Sequence, residues 1–259
     1  MIPARQGSKG IVNKNFRKLA GTELIEHTLS HAIELADLAD IVVSSDNYGY
    51  LDILQARFSG IMNKPTHRPN WLISPTNGFF LHYRSQESSS DDALIIPVIR
   101  EVILAIVGPE PRENYEGVVL LQPTTPFRSN TDLSKLREYL LNRASASGSF
   151  VTFVQVSDGH PARMYFSDTK SHFRSSGFLP DFETSRRQDL PPVYLRDGCY
   201  YFVGMNLINQ GLQVGKNPEG YIREYPWSIN LDSQDDWTLA ESIVDMPNWS
   251  DLIRKGEPN

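Results

Sequence analysis

Cysteine is almost missing from this chain: Cys199 is the only one. A single thiol excludes an intramolecular disulfide and any cysteine-based metal site, and it fits a reducing, cytoplasmic compartment. Long apolar runs are missing too. Stretches such as Ala93 to Ile99 fall far short of the ~20 apolar residues a membrane-spanning helix needs, and the basic N-terminus is not followed by the apolar run of a signal peptide. The six histidines show no metal-ligand spacing, and no Ser-His-Asp or Cys-His arrangement can be argued. Excess positive charge is also absent, the formal net charge being −6, which argues against nucleic acid as a partner. What remains is a soluble chain of 259 residues, 40% hydrophobic and 22% charged. That suits one large α/β domain, or a domain with a smaller insert.

Against this acidic background the first residues invert the sign. Arg5, Lys9, Lys14, Arg17 and Lys18 precede the first acid, Glu23. Within Ala4-Arg5-Gln6-Gly7-Ser8-Lys9-Gly10, two glycines let the backbone turn tightly and bring N–H groups to an anion. The loop is neither a Gly-x-x-x-x-Gly-Lys-Ser/Thr nor a Gly-x-Gly-x-x-Gly motif. The competing reading is a flexible basic terminus; clustered cations beside oriented N–H groups favour a polyphosphate. Only Met1-Ile2-Pro3 precede the loop, so the strand such a site needs is stunted, or the protein begins upstream.

Beyond the loop, strands and helices alternate. Helical spacing predicts helices over about 23–36, 51–58, 93–107 (capped by Asp91 or Asp92) and up to 142 (capped by Thr131-Asp132), with a closing helix from about Gln234 to Val244 after Ser233. Strands are expected at Ile41-Val42-Val43, Gly117 to Gln122, Phe150 to Val156, Cys199 to Val203 and Trp227 to Asp232. Residues 59–90 have no period and read as a long, partly ordered excursion. This alternation predicts a mostly parallel sheet covered on both faces. The nucleotide-binding core is assigned to 1–157 and 198–259. Residues 158–197, rich in Pro, Arg, Ser and aromatics, read as an inserted subdomain that needs a second subunit to bury itself.

Three further clusters carry chemistry. Leu121-Gln122-Pro123-Thr124-Thr125-Pro126-Phe127-Arg128 places polar groups beyond a strand's carboxyl end, where open α/β sheets bind ligands; an ordinary turn is the plainer alternative. Asp46 and Asp232 end strands near the expected phosphate site and suit Mg²⁺, although each also reads as a turn or helix-start residue. Asp235 and Asp236 read simply as first-turn helix acids. Arg186 and Arg187, with Arg163 upstream, suit a carboxylate, or else make a solvated basic surface.

In order along the chain, Ile2-Pro3-Ala4-Arg5-Gln6-Gly7-Ser8-Lys9-Gly10, Lys14-Asn15, Leu19-Ala20-Gly21, Val43-Ser44-Ser45-Asp46 and Leu121 to Arg128 resemble the acylneuraminate cytidylyltransferases and their CMP-ulosonate relatives. The resemblance implies a Rossmann-like nucleotidyltransferase fold and a homodimer exchanging a small inserted dimerisation subdomain. It implies transfer of CMP from CTP to a sugar acid with Mg²⁺ or Mn²⁺. Ala4, Arg5, Ser8, Lys14 and Asn15 would then hold CTP, with Arg5, Lys14 and Asp232 catalytic. Gln122, Thr124, Arg163 and Tyr201 would face the sugar acid, with Arg187 reaching it from the partner subunit, and Asp232 with Asn230 would hold the metal. Asp46 is the candidate base. Asn230 stands where the family has the first Asp of Asp-x-Asp, Arg163 where Lys is common, and Asp197 where Asn precedes Gly, while Arg84 with Ser88 to Asp92 only faintly echoes the family's Arg-Pro-Glu-x-x-x-Asp stretch. Asp197 is therefore expected to bring negative charge toward an anionic substrate. These departures leave open an eight-carbon ulosonate or a phosphonate as the acceptor, or a nucleotide-binding relative that has lost catalysis.

Overall fold

The computed structural model describes residues 1–7, 10–58, 66–67, 72–76, 78–90, 93–107, 115–156, 158–169, 172–224, 228–247 and 249. Two residues begin the sheet. β1 (Ile2–Pro3) pairs in parallel with β2 (Ile41–Ser45), and β2 pairs in parallel with β3 (Phe79–Tyr83). A second group holds β4 (Gly117–Leu120), β5 (Ser149–Gln155), β6 (Tyr194–Gly204) and β7 (Glu219–Arg223). Here β6 runs antiparallel between β4 and β5, while β7 lies parallel to β5. Met1 joins the two groups: its amine donates to Val119 O at 2.7 Å, and its carbonyl accepts from Leu121 N at 3.0 Å. The sheet therefore runs β3-β2-β1-β4-β6-β5-β7, mostly parallel as expected, and Leu72–Thr76 with Thr66–His67 extends the β3 edge antiparallel.

Side chains alternate across a strand, so neighbouring residues feed opposite cores. Val43, Leu81, Tyr200 and Phe202 meet α1 (Leu24–Ile33), α2 (Tyr48–Phe58) and, through Leu133, Leu136 and Tyr139, α4 (Asn130–Asn142). Val42, Phe80, Tyr201 and Val203 meet α3 (Ile95–Val107) and α5 (Met205–Asn209) on the other face. In α1 the apolar spacing of Leu24, Ile25, Thr28, Leu29 and Ala32 buries one stripe. A third core sets α6 (Gln234–Val244), through Trp237, Ala240 and Ile243, against Leu19, Leu24 and Phe127.

Several expectations change. The excursion at 59–90 contains β3, a buried central strand; its Phe-Phe-Leu-His-Tyr run has no period because both faces are covered. Of the strand expected over Trp227 to Asp232, Trp227 lies outside the described residues and the rest does not form a strand. Residues 228–232 are an irregular segment whose Ile229 and Leu231 alternate into the third core, with Leu231 N on Thr124 O at 2.7 Å, and the last sheet strand is β7. Helix α4 is capped by Ser129, with Asp132 answering from its third position, rather than by Thr131-Asp132. The caps proposed at Asp91 and Asp92 lie outside the described residues.

Within 158–197, a hairpin pairs Tyr165–Thr169 with His172–Ser175, and short 3-10 turns flank it at Pro161–Arg163, Pro180–Phe182 and Arg187–Asp189. Tyr165, Phe166, Phe173 and Phe178 are exposed on this arm.

Candidate active site

The carboxyl ends of β1 to β4 carry the loop at 4–15, Asp46, Arg84 and Gln122 to one edge of the sheet. Ala4 is buried and donates its N–H to Ser44 O at 2.8 Å, continuing the β1–β2 register. Gln6 N donates to Asp46 Oδ1 at 2.7 Å. Asn13 holds φ at 52°, in the left-handed region, and turns the chain into a 3-10 turn over Lys14–Phe16. There Asn15 Nδ2 donates back to Arg5 O at 2.9 Å and holds the loop closed.

Lys14 is the hinge of this geometry. Its stem is buried, and its ammonium donates to Leu231 O at 2.7 Å and to Asp232 Oδ1 at 3.1 Å. Asn230 Nδ2 donates to the other oxygen of the same carboxylate. Gly10 packs on the backbone here: a Cβ at this position would fall inside the van der Waals shell of Asp232 O. Ser233 and Asp236 close a capping box at the head of α6 and direct Asp232 outward, its side chain 64% exposed. The structure thus brings Arg5, Lys14, Asn15, Asn230 and Asp232 into one neighbourhood. Ser8 and Lys9 lie outside the described residues.

Arg84 sits behind the loop. Nε donates to Ser44 Oγ at 3.0 Å and Nη2 to Ser44 O at 3.2 Å, with 5% of the residue exposed. Burial pulls its guanidinium down to about 10, while Asp46 and Glu101 pull upward and Arg5 downward. It stays charged at neutral pH and adds a fixed cation behind Arg5. Ser44 Oγ accepts from Arg84 and shares a hydrogen bond with His82 Nδ1 at 3.0 Å, while His82 Nε2 faces Glu101 at 3.6 Å. Burial, opposed by Glu101 and reinforced by Arg84, lowers His82 from 6.5 to about 4. His31, lowered first by burial and then by Arg128, falls to about 3. In the unfolded chain both bind a proton near 6.5, so between about 4 and 6.5 the unfolded state holds more protons and stability drops as pH falls. The urea midpoint should therefore be lower at pH 5 than at pH 7; equal midpoints would mean these rings are not buried neutral.

Gln122 is half-buried, with its amide against Gly198: a Cβ on Gly198 would stand 2.8 Å from Gln122 Oε1. Thr124 is likewise half-buried, and its carbonyl accepts from Leu231 N, which ties the Gln122 loop to the Asp232 segment. Tyr201 lies in the α3-side core, 6% exposed, where burial raises its phenol. Arg163 donates to Ser185 O at 2.9 Å and Arg187 pairs with Asp158 at 3.0 Å, both contacts internal to the arm. Asp197 points inward, away from the role expected of it: its carboxylate pairs at 2.6 Å with Arg223, and its charge is matched inside the core. Sequence reading passed over Arg223 and gave Arg84 only a faint place. Their partners lie 26 and 40 residues away in the chain, so no local pattern marks them.

A family model described as Cytidylyltransferase matches residues 1–70, the stretch that holds the loop, Lys14 and Asp46. The CMP-N,N'-diacetyllegionaminic acid synthase of Legionella pneumophila is 24% identical over 95% of both chains. The N-acylneuraminate cytidylyltransferase of Streptococcus agalactiae is 27% identical over 92% of this chain, which spans 51% of that protein's length. A solved CMP:2-keto-3-deoxy-manno-octonic acid synthetase complexed with CTP superposes with a TM-score of 0.58, at 14% identity, over 93% of this chain and 95% of that one. At that identity the superposition speaks for the nucleotidyltransferase fold. The ordered motifs, the loop geometry and these relatives together make the chain similar to the cytidylyltransferases, the CMP-sialic acid synthetases among them.

Proposed function

We propose that the chain transfers CMP from CTP to the anomeric hydroxyl of a sialic-acid-like nonulosonic acid and releases pyrophosphate. The observation that carries this reading is the closure of the N-terminal loop on the 230–232 segment through Lys14, which gathers cations and one open carboxylate where β1 ends. Phosphoryl transfer asks a protein mainly for positioning and charge neutralisation. Arg5 and Lys14 supply cations to the triphosphate, and Ala4, Ser8 and Asn15 shape the loop around the nucleotide. Gln122 and Thr124 face the acid from the neighbouring strand end, Arg163 and Arg187 of the partner subunit meet it from the arms, and Tyr201 backs the pocket from the α3-side core. The hydroxyl attacks the α-phosphorus in line, its proton passes to a rim carboxylate for which Asp46 is the candidate, and pyrophosphate leaves opposite.

Mg²⁺ or Mn²⁺ suits the donors present. Asp232 offers an exposed carboxylate and Asn230 an amide oxygen. Mg²⁺ commonly takes one or two carboxylates together with phosphate oxygens and water. Asp232 and Asn230 would hold the ion, which neutralises charge on the triphosphate when bound. Among the described residues no group of three or more His, Cys, Asp or Glu is placed to hold a metal ion by itself.

The exposed aromatics of the 158–197 arm support a homodimer in which each arm covers its partner, and light scattering should return twice the chain mass. No helix among the described residues is long and apolar enough to cross a membrane. A cytoplasmic setting is part of the proposal, supported by the lone buried thiol of Cys199.

The decisive assay is pyrophosphate release from CTP and Mg²⁺ across N-acetylneuraminate, N,N'-diacetyllegionaminate, 2-keto-3-deoxy-manno-octonate and a phosphonate. Release with either of the first two is expected. Release only with the octonate or the phosphonate overturns the acid while keeping the reaction class. CTP binding without release on any acid overturns the activity.

A further inference from the structure

Asp197 and Arg223 form an ion pair with both side chains fully buried, Oδ2 to Nη1 at 2.6 Å. Desolvating two charges is unfavourable, and their attraction offsets this only when the remaining donors and acceptors are also used. Here they are used. Asp197 Oδ1 accepts from Thr152 Oγ1 at 2.6 Å and from Cys199 N at 3.1 Å. Arg223 also pairs with Asp132 at 3.1 Å and donates from Nη2 to Phe127 O.

Besides Thr152 of β5, these partners belong to three pieces of backbone. Asp197 stands where the β6–β5 register shifts, between Arg196 and Tyr201, and its carboxylate folds back to hold the N–H of Cys199 inside that irregularity. Phe127 belongs to the loop that begins at Gln122, and Asp132 closes the cap of the helix that follows. A second buried arginine, Arg128, fastens the same loop by donating to Gln122 O at 2.7 Å and to Cys199 O at 3.3 Å. Thr125 Oγ1 donates to Gly198 O at 3.1 Å. The product of these contacts is local and specific: Gly198, with φ at +84°, lies against the Gln122 side-chain amide, where a Cβ would stand 2.8 Å from Oε1. The bulge carries an acid, yet Arg223 cancels its charge before it reaches the rim.

We propose that Arg223 and Asp197 are positioning residues for the acceptor. They hold the 197–199 bulge and the 122–129 loop as one unit and so set the Gln122 amide for the sugar acid. The proposal rests on the reading of Gln122 as an acid contact.

The test is steady-state kinetics on the full chain with CTP and N-acetylneuraminate, repeated with N,N'-diacetyllegionaminate, for Arg223→Lys, Gln122→Ala, their combination, and Asp197→Asn/Arg223→Met. Lysine keeps the charge but cannot reach three partners at once, so the KM for the acid should rise about tenfold with the KM for CTP unchanged, as a small misplacement of a binding group predicts. Gln122→Ala should raise the same KM, and adding Arg223→Lys to it should add little, because the two changes act through one amide. The charge-free pair, which removes both partners of the 2.6 Å bridge and leaves Asp132 its cap bond from Ser129 N, should fold with near wild-type circular dichroism and still show the raised KM for the acid; it carries the test if the lysine variant is unfolded. Equal shifts in both KM values, full additivity with Gln122→Ala, or wild-type kinetics in the charge-free pair would each overturn the proposal. If Gln122→Ala raises the KM for the acid and the Arg223 variants do not, the proposal alone fails. If Gln122→Ala leaves it unchanged in a working enzyme, the reading of Gln122 fails and takes the proposal with it.

Discussion

Asp232→Asn should lower turnover about a thousandfold, roughly 4 kcal/mol in the barrier, while the melting temperature stays nearly constant. The two halves of this expectation come from different contacts. The side chain is 64% exposed and its pair with Lys14 spans 3.1 Å, so the folded state loses little more than the ~0–1 kcal/mol typical of an exposed ion pair. Asparagine keeps the size and one oxygen, and the backbone N–H at 232 keeps its bond to Asp236. Lys14 keeps Leu231 O as its acceptor. What disappears is the exposed carboxylate paired with Lys14, and with it the ligand that would hold a divalent ion on the triphosphate. Turnover at saturating CTP and acid, measured beside a thermal melt, separates the two halves. Activity within tenfold of wild type would remove Asp232 from the metal role; a melting temperature lowered by many degrees would make it a structural residue instead.

The parts of this site that sequence made legible are those whose chemistry is local. The loop could be read because cations and glycines crowd into a few residues, and α6 because a capping box spans only four. The strand β2 announced itself by three β-branched or aliphatic residues in a row. β3 did not, since His82 interrupts an otherwise aromatic and aliphatic run; only its seat between Ser44 and Glu101 makes a buried histidine tolerable there. The Ile229–Leu231 alternation imitated a strand because a loop pressed into a core buries every second residue just as a strand does. Asp197 shows the deeper limit. As a residue type it signals negative charge, and its effect depends on an arginine brought beside it by the β5–β7 pairing. Charge is readable along a chain, while compensation is readable only in the fold.

Gly10→Ala should cut pyrophosphate release about a hundredfold, by moving the loop rather than by removing a functional group. The only addition is one methyl, but its place is already occupied by the carbonyl oxygen of Asp232, with the carbonyl carbon 3.2 Å away. Both obstacles are backbone, so no rotamer change can admit the methyl, and either the loop or the 230–232 segment must retreat. That segment is pinned from both sides: Leu231 N bonds Thr124 O, and Asp232 N bonds the capping carboxylate of Asp236. The loop is held on this side mainly through Lys14, so it is the loop that yields. Stability should fall by about 1–3 kcal/mol, the usual cost of forcing a group into filled space. The KM for CTP should rise, and kcat should fall with it as Lys14 separates from Asp232. A Gly10→Ala enzyme with wild-type kinetics would mean that the loop does not need its contact with Asp232 to work. The same substitution at Gly21 is the control, since a Cβ there meets nothing within 4 Å, though its φ of +78° still carries a backbone penalty. If Gly21→Ala loses stability but keeps turnover while Gly10→Ala loses turnover, the closure of the loop on Asp232 is what the reaction requires.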